Sequence, residues 1–336
     1  PSWVTRFISF EKEACAAASL GQVHKATSLE GQPLACKLQY PDMQSVVETD
    51  LSQLRLALKV YETTLGGLKT QNLFQELSIH LREELDYTLE AQHIALFAKI
   101  FEVDSHVRVP CVMEDLSTHR LLTMQWLEGQ PIQSFVEAPQ EVRNNMARTL
   151  FYAWYKPLYH YGMVHGDPHL GNYTFTSQGE VNVLDFGCVR KFKPSFVRSI
   201  LDLYEALAHK QSDKMVAAYE SWGFENLTKE MIDVLNIWAN MLYEPLLDNQ
   251  VRPIQEGHQG LKGRETATYV HDELRRLGGV TPPREFVFLD RAAVGIGSAF
   301  MHLKAQLNWH ELFEKLISDF DEEVVRERQK ALGIEF

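Results

Sequence analysis

The chain has 336 residues, 45% hydrophobic and 23% charged, an ordinary balance for a globular protein with enough core for two lobes. Its net charge of -12 excludes non-specific binding to DNA or RNA and a wholly electrostatic attachment to anionic lipid. The four cysteines, Cys15, Cys36, Cys111 and Cys188, form no CxxC pair, which fits reduced thiols rather than a disulfide framework or a zinc site.

Neither a signal peptide nor a run of about 18 apolar residues is read from the chain. The expected location is therefore the cytoplasm or an organelle matrix, with room for peripheral contact with a membrane lipid surface. The chain begins at Pro1 without Met, as a fragment or processed form would.

In chain order, residues 5–13 are expected to form a strand. QVHKATS (22–28) and PLACKLQY (33–40) alternate around the turn LEGQ (29–32), a hairpin signal. Pro41-Asp42 opens a helix with helical spacing through about Leu65, where Gly66-Gly67 stops it. A second long helix is expected from about Asn72 to Phe101, with Leu77, Leu81, Leu85 and Leu89 on one stripe. Two short strands follow, near 107–113 and 120–126, and Glu128-Gly129-Gln130-Pro131 ends them. From about 139 the pattern is helical, except between VHGD and DFG, where SQGE (177–180) turns between short strands. RKFKPSFVR (190–198) is the best candidate for a local basic patch, and the reading favoured over that is a solvated loop. The fold class expected is α+β and bilobal. A strand-rich N-lobe with two long inserted helices spans 1–128, a larger helical C-lobe spans 129–336, and a ligand is expected in the cleft between them.

Phosphoryl transfer from ATP needs a cover over the phosphates, a cation on them, hard oxygens holding Mg2+, and a group near the attacking oxygen. The chain offers a candidate for each, in the order protein kinases use. Ala16, Ala17, Ala18, Ser19, Leu20, Gly21, Gln22 and Val23 stand where a glycine-rich cover would. Lys37 lies on a strand with Ala35 on the same face, a small residue and a cation suited to an adenine slot and its phosphates. Met124, Gln125, Trp126 and Leu127, at the connector, complete the expected nucleotide-binding set. Glu83, Glu84, Asp86 and Glu90 crowd the second helix. Asp86 and Glu90, four apart, are expected on one face, where like charges destabilise a bare helix by a few tenths of a kcal/mol. The pattern fits either a solvated acidic face or carboxylates that meet Lys37 and a metal. Asp167 and Asn172 lie in HGDPHLGN and Asp185 in LDFG. Asp167 would position the attacking hydroxyl, and Asn172 and Asp185 would hold magnesium. A zinc reading of His165 and His169 is weaker, because Gly166, Pro168 and Gly171 break the helix that would align them.

At these residues the chain resembles a known family. AAASLGQVHKA, ACKLQYP, ELDYTLEA, HGDPHLGN and LDFG, in this order, are similar to the UbiB family of atypical kinase-like proteins, which support isoprenoid-quinone metabolism. The resemblance covers roughly residues 10–310. It implies an alanine-rich loop in place of the glycine-rich one, Lys37 paired with Glu90, and Glu84 and Asp86 as the family's ExD pair near the metal. It implies Asp167 as the catalytic-loop Asp, and Asn172 and Asp185 as magnesium ligands. The implied cofactors are ATP and Mg2+. The implied partners are isoprenoid quinone precursors, a membrane surface or quinone-biosynthesis proteins. No KxGQ motif precedes the alanine-rich loop within the chain, and the C-terminal membrane segments of some members are not read either. HGD lacks the Arg of the kinase HRD, and no APE-like motif follows LDFG, so ATP hydrolysis is expected ahead of protein phosphorylation. A small-molecule phosphotransferase of the antibiotic or choline kinase type is an alternative. A non-catalytic nucleotide- or lipid-binding scaffold is another.

Overall fold

The computed structural model describes residues 3–64, 70–255, 259–278 and 283–336. The expected helix stop at Gly66-Gly67 lies outside them. Contacts divide the chain into two compact units, one of residues 1–54, 77–134 and 170–189, the other of 55–76, 135–169 and 190–336. The chain crosses between them several times.

Strands β1 (Ser9–Phe10), β2 (Ala16–Ala18), β3 (Gly21–Thr27) and β4 (Pro33–Gln39) open the first unit. Helices α1 (Met43–Thr64), α2 (Gln71–Glu83) and α3 (Tyr87–Ile100) follow, then β5 (Val107–Arg108), β6 (Leu121–Gln125) and β7 (Gln130–Pro131). The antiparallel sheet runs β1-β3-β4-β6, with β2 also on β3. Strand alternation sorts β4 by face. Leu34 and Cys36 join Phe7 and Ala26 in a buried cluster, closed by Phe10, Met113, Leu116 and Leu121. Ala35 and Lys37 face the other way, on a central strand between Val23 of β3 and Leu122 of β6. The hairpin read from QVHKATS and PLACKLQY is β3–β4. Of the strand expected at 5–13 only Ser9–Phe10 forms. A short 3-10 turn, Trp3–Arg6, comes before it, and Glu11 onward leads into β2.

The second long helix of the sequence reading is two helices. Asp86 takes a non-helical backbone (φ -103°, ψ 88°), and its Oδ1 accepts from the amides of Thr88 (3.0 Å) and Leu89 (3.1 Å), capping α3. Gln39 Nε2 of β4 donates to the Leu85 carbonyl (2.5 Å), an acceptor that the break removes from the helical ladder. Leu85 therefore does not continue the stripe of Leu77 and Leu81, and Asp86 is a cap rather than a face-mate of Glu90.

Strands β8 (Met163–His165), β9 (Tyr173–Phe175), β10 (Val181–Val183) and β11 (Val189–Lys191) come later. The first unit's other sheet is β5-β10-β9-β7. Glu128 to Pro131 does not simply end the strands, because Gln130–Pro131 pairs with β9. The fully buried Asn182 amide donates to Glu128 O (3.0 Å) and Thr174 Oγ1 (2.9 Å), fixing this connector.

The second unit is helical. It carries α4 (Gln140–Tyr161), α5 (Pro194–Ala208), α6 (Ser212–Trp222) and α7 (Lys229–Leu247). These are followed by α8 (Gln259–Arg276), α9 (Arg284–Leu303), α10 (Trp309–Ile317) and α11 (Glu322–Ala331). α4 is its spine, burying Met146, Leu150, Phe151, Trp154 and Leu158. It ends on Gly162 in the left-handed region (φ 62°), where a Cβ would lie 2.5 Å from Phe192 O. RKFKPSFVR is not a solvated loop. Arg190 pairs with buried Glu76 (2.8 Å), Phe192 is buried, and Pro194 starts α5 at its first turn. Among the described residues α9 is long and apolar enough, by length and composition, to cross a membrane, and a third of its most apolar window is buried. The sequence reading passed over it because Asp290 and Arg291 interrupt the run.

Replacing Asp86 by Ala removes the α3 cap and is expected to lower unfolding free energy by about 1 kcal/mol. Asp86→Asn should keep most of it. Urea unfolding of the two variants checks this, and equal stability would show that the Gln39 bond alone sets the break.

Candidate active site

Burial of a cation on β4 organises the first unit. Lys37 Nζ donates to Glu90 Oε1 (2.8 Å) and Oε2 (3.0 Å) and to Asp185 Oδ2 (2.8 Å), with 6% of Lys37 and 1% of Glu90 exposed. Burial alone would pull the lysine's pKa down, but the Asp185 and Glu90 carboxylates outweigh it and hold the ammonium firmly charged. Burial pushes Glu90 up, against the pull of Lys37 and a bond from the Phe186 amide (3.3 Å). Glu90 sits in the first turn of α3, where the helix dipole favours its charge. The Tyr87 ring lies 5.4 Å from the ammonium.

The DFG segment is fixed separately. The Phe186 ring packs 5.0 Å from Phe97, and the Phe186 carbonyl accepts from His93 Nδ1 (3.0 Å). Asp185 Oδ1 accepts from the Gly187 amide (2.9 Å), so its two oxygens are aimed in different directions. The Leu184 amide bonds the Asn172 carbonyl (3.0 Å), bringing the Asn172 and Asp185 positions close along the β9–β10 pair.

The alanine-rich segment is a β-hairpin. Ala16, Ala17 and Ala18 pair with Val23, Gln22 and Gly21 across the two-residue turn Ser19-Leu20. Neither turn residue has positive φ, so the turn itself needs no glycine. Gly21 does need to be glycine, because a Cβ there would lie 2.3 Å from Leu38 O. Ser19 bonds the Glu84 carboxylate, which also meets His80 Nε2 at 3.0 Å. Burial would raise Glu84, but the His80 and Ser19 bonds win and lower it, against opposition from the nearby Asp185 charge. Burial would lower His80, but its contacts with Cys188 and Glu84 raise it to about 10. Sequence reasoning missed His80. The available signal was its i, i+4 spacing to Glu84 on one helix.

At the connector, Met124 pairs with Ala35, and both are buried. The Gln125 amide bonds Cys111 O (2.8 Å) and the Trp126 amide bonds Pro33 O (3.0 Å). Lys25 Nζ lies 4.5 Å over the Trp126 ring, and Leu127 is buried.

The description "ABC1 atypical kinase-like domain" matches residues 1–219 of the chain. The chain belongs to this family of atypical kinase-like proteins. It is 28% identical over 327 residues to the mitochondrial atypical kinase COQ8B of Rattus norvegicus, covering 93% of this chain and 59% of that protein. It is 29% identical over 197 residues to the mitochondrial atypical kinase COQ8 of Saccharomyces cerevisiae, covering 58% and 39%. It is 30% identical over 227 residues to the chloroplastic protein ACTIVITY OF BC1 COMPLEX KINASE 8 of Arabidopsis thaliana, covering 65% and 30%. The chain thus spans 30% to 59% of the length of these relatives. Its fold is similar to that of Rv3197 from Mycobacterium tuberculosis, solved in complex with erythromycin, with a TM-score of 0.69, 24% identity, and coverage of 94% of this chain and 79% of that one. The α+β kinase-like fold expected from the sequence is the one found.

In this ABC1-family chain the first unit brings together Lys37, Glu90, Asp185 and Glu84, with the alanine hairpin tied to Glu84 through Ser19. Asp167 belongs to the second unit and is exposed, on the stretch after β8 between buried Gly166 and Pro168. That stretch is held by Trp154 Nε1 on His165 O (3.0 Å) and by Pro168 packed on Gly295, where a Cβ would approach to 2.8 Å. His165 is buried and His169 exposed, and among the described residues no cluster of three His, Cys, Asp or Glu could hold a metal.

Lys37→Ala should lower unfolding free energy by about 3–5 kcal/mol, because it strands Glu90 as an uncompensated buried charge. Lys37→Met combined with Glu90→Leu should recover much of that loss in urea unfolding. A double variant no more stable than the single one would separate the two groups energetically. A further expectation concerns pH. His80 has a raised pKa in the folded protein, so its stabilising contribution is full below about pH 6.5 and is lost as the pH rises toward about 10. The stability gap between the parent and His80→Gln, on the order of 1 kcal/mol, should therefore close across that window. A gap independent of pH would remove the charge from the account.

Proposed function

We propose that this chain binds ATP with magnesium and hydrolyses it, in support of ubiquinone or a related isoprenoid-lipid metabolism, rather than phosphorylating proteins. The observation that carries the reading is the buried Lys37 cation bonded to Glu90 and Asp185. That is an arrangement suited to placing positive charge on a polyphosphate. The donor set fits magnesium. Asn172 and Asp185 are hard oxygen ligands, Glu84 and Asp185 feel each other's negative charge, and magnesium characteristically takes few protein carboxylates and completes its shell with phosphates and water. Magnesium would be held by Asn172 and Asp185, with Glu84 and Asp86 nearby, and would neutralise phosphate charge.

The chain's own residues do the rest. Lys37 holds the phosphates, Ala35 and the residues Met124 to Leu127 line the adenine slot, and the alanine hairpin covers the nucleotide. Asp167 orients a water and accepts its proton as the water oxygen bonds the γ-phosphorus and the bridging oxygen departs with ADP. Two features favour water over a protein hydroxyl. HGD carries no Arg after His165, and α5 begins at Pro194, nine residues after Asp185, which leaves little chain for docking a peptide. The mitochondrial and chloroplastic relatives support an organelle matrix as the location, at a membrane surface where quinone precursors reside.

Asp185→Asn should abolish magnesium-dependent thermal stabilisation by ATP, and the parent should release free phosphate from labelled ATP. A phosphorylated small molecule on the thin-layer plate would favour a small-molecule kinase. A chain that binds ATP but yields no labelled product would favour a scaffold.

A further inference from the structure

The second unit encloses a cavity of about 80 Å³ that nucleotide chemistry does not use. Trp154 and Tyr159 of α4 and Trp222 at the end of α6 are its buried wall, and Trp238 of α7 with Phe286 and Asp290 of α9 stand at its half-open mouth. The rings form one cluster, Phe286 lying 4.6 Å from Trp238 and 6.0 Å from Trp222.

Two polar groups in this aromatic box lack complements. Asp290 Oδ1 accepts from Trp238 Nε1 (2.9 Å), yet among the described residues no cation pairs with its carboxylate, and burial pushes its pKa up. Trp222 is 5% exposed, and its Nε1 is a buried donor with no acceptor among the described residues. A carboxylate largely withdrawn from water without a countercharge is unfavourable, and so is a buried N–H without an acceptor. Aromatic faces present negative potential, which attracts cations and most strongly desolvated ones. Carboxylate and rings therefore ask for the same thing, a positive charge with an apolar skin. Size narrows the choice. The volume is about half of the ~150 Å³ apolar cavity that accommodates benzene, so only a compact molecule fits.

We propose that this cavity binds a compact organic ammonium that carries an oxygen acceptor, of the amino-alcohol class. Its charge sits against Asp290 and the faces of Trp238, Trp222 and Phe286, and its oxygen takes the Trp222 N–H. The site is independent of the nucleotide chemistry proposed for the chain.

The test follows the Trp222 indole N–H resonance of the full chain during titration with three probes. These are choline, tetramethylammonium, and the neutral carbon isostere of choline in which a tert-butyl group replaces the trimethylammonium. Choline should shift the resonance, and the neutral isostere should bind about tenfold more weakly, a difference of about 1.4 kcal/mol. Asp290→Asn keeps an acceptor for Trp238 and should erase that preference. Trp222→Phe, followed by tryptophan fluorescence, should weaken choline but not tetramethylammonium. Phosphatidylcholine vesicles that sediment the parent, but not Asp290→Asn, would assign the ammonium to a lipid headgroup. Binding of free choline alone would assign it to a soluble molecule. Equal affinity for choline and its neutral isostere in the parent overturns the proposal without recourse to any variant. So does the absence of a shift at tens of millimolar choline.

Discussion

The Lys37 ammonium is the group around which the first unit is built. It is buried on a central strand, so it cannot be hydrated, and its charge must be met by protein. Glu90 and Asp185 meet it from segments 53 and 148 residues away in sequence. The site is thereby a folding constraint, since the sheet, α3 and the DFG segment have to be in place before the cation is neutralised. One cation between two carboxylates also leaves an excess of negative charge, and the Glu84 carboxylate adds to it. Such an excess is unfavourable in an empty protein and favourable once a divalent cation is present.

The helix break at Asp86 serves the same constraint. A continuous helix from α2 through α3 would leave Glu90 in a helix interior with no exposed amides ahead of it. The break instead places Glu90 in a first turn, where amides and dipole offset part of the desolvation of its carboxylate. Glu84, just before the break, meets both His80 and Ser19, so the alanine hairpin is tied to a charged pair. The alanine hairpin is paired to β3 and anchored at its turn, which restricts the mobility that a glycine-rich loop would have.

What the sequence made legible was local or strongly patterned. The β3–β4 hairpin follows from alternation around LEGQ, and the common face of Ala35 and Lys37 follows from the same period. The meeting of Lys37 with Glu90 came through the resemblance, since nothing local links positions 53 residues apart. The α2–α3 break was hidden because the leucine spacing runs on across it. The contrary signal was an Asp followed by Tyr-Thr-Leu-Glu, a cap with an acidic first turn. RKFKPSFVR was misread because its charges outnumber its apolar residues. Phe192 and Phe196 nevertheless stack at 4.8 Å, and Arg190 is spent on Glu76. His80 was passed over because its i, i+4 spacing to Glu84 is common on helix surfaces, while its other partner, Cys188, is distant in sequence.

Two carboxylates in the second unit, Glu76 buried and Asp290 half-buried, show how countercharge separates a structural acid from one with a vacancy. Glu76 is 5% exposed and takes both Arg190 (2.8 Å) and Arg284 (3.2 Å), one on each oxygen. Its charge is complete within the protein, and the bonds tie the start of α2 to β11 and α9. Asp290, two turns along α9 from Arg284, has an indole N–H and no cation among the described residues. An arginine next to it, as at Glu76, would have made α9 a purely structural helix. Its neighbour Arg291 instead reaches the Gly166 carbonyl (3.4 Å), leaving Asp290 to the aromatic rings. A fold that keeps in one cavity a carboxylate and an indole N–H that lack complements among the described residues loses stability at that point, and a cationic ligand is the simplest group that would restore it.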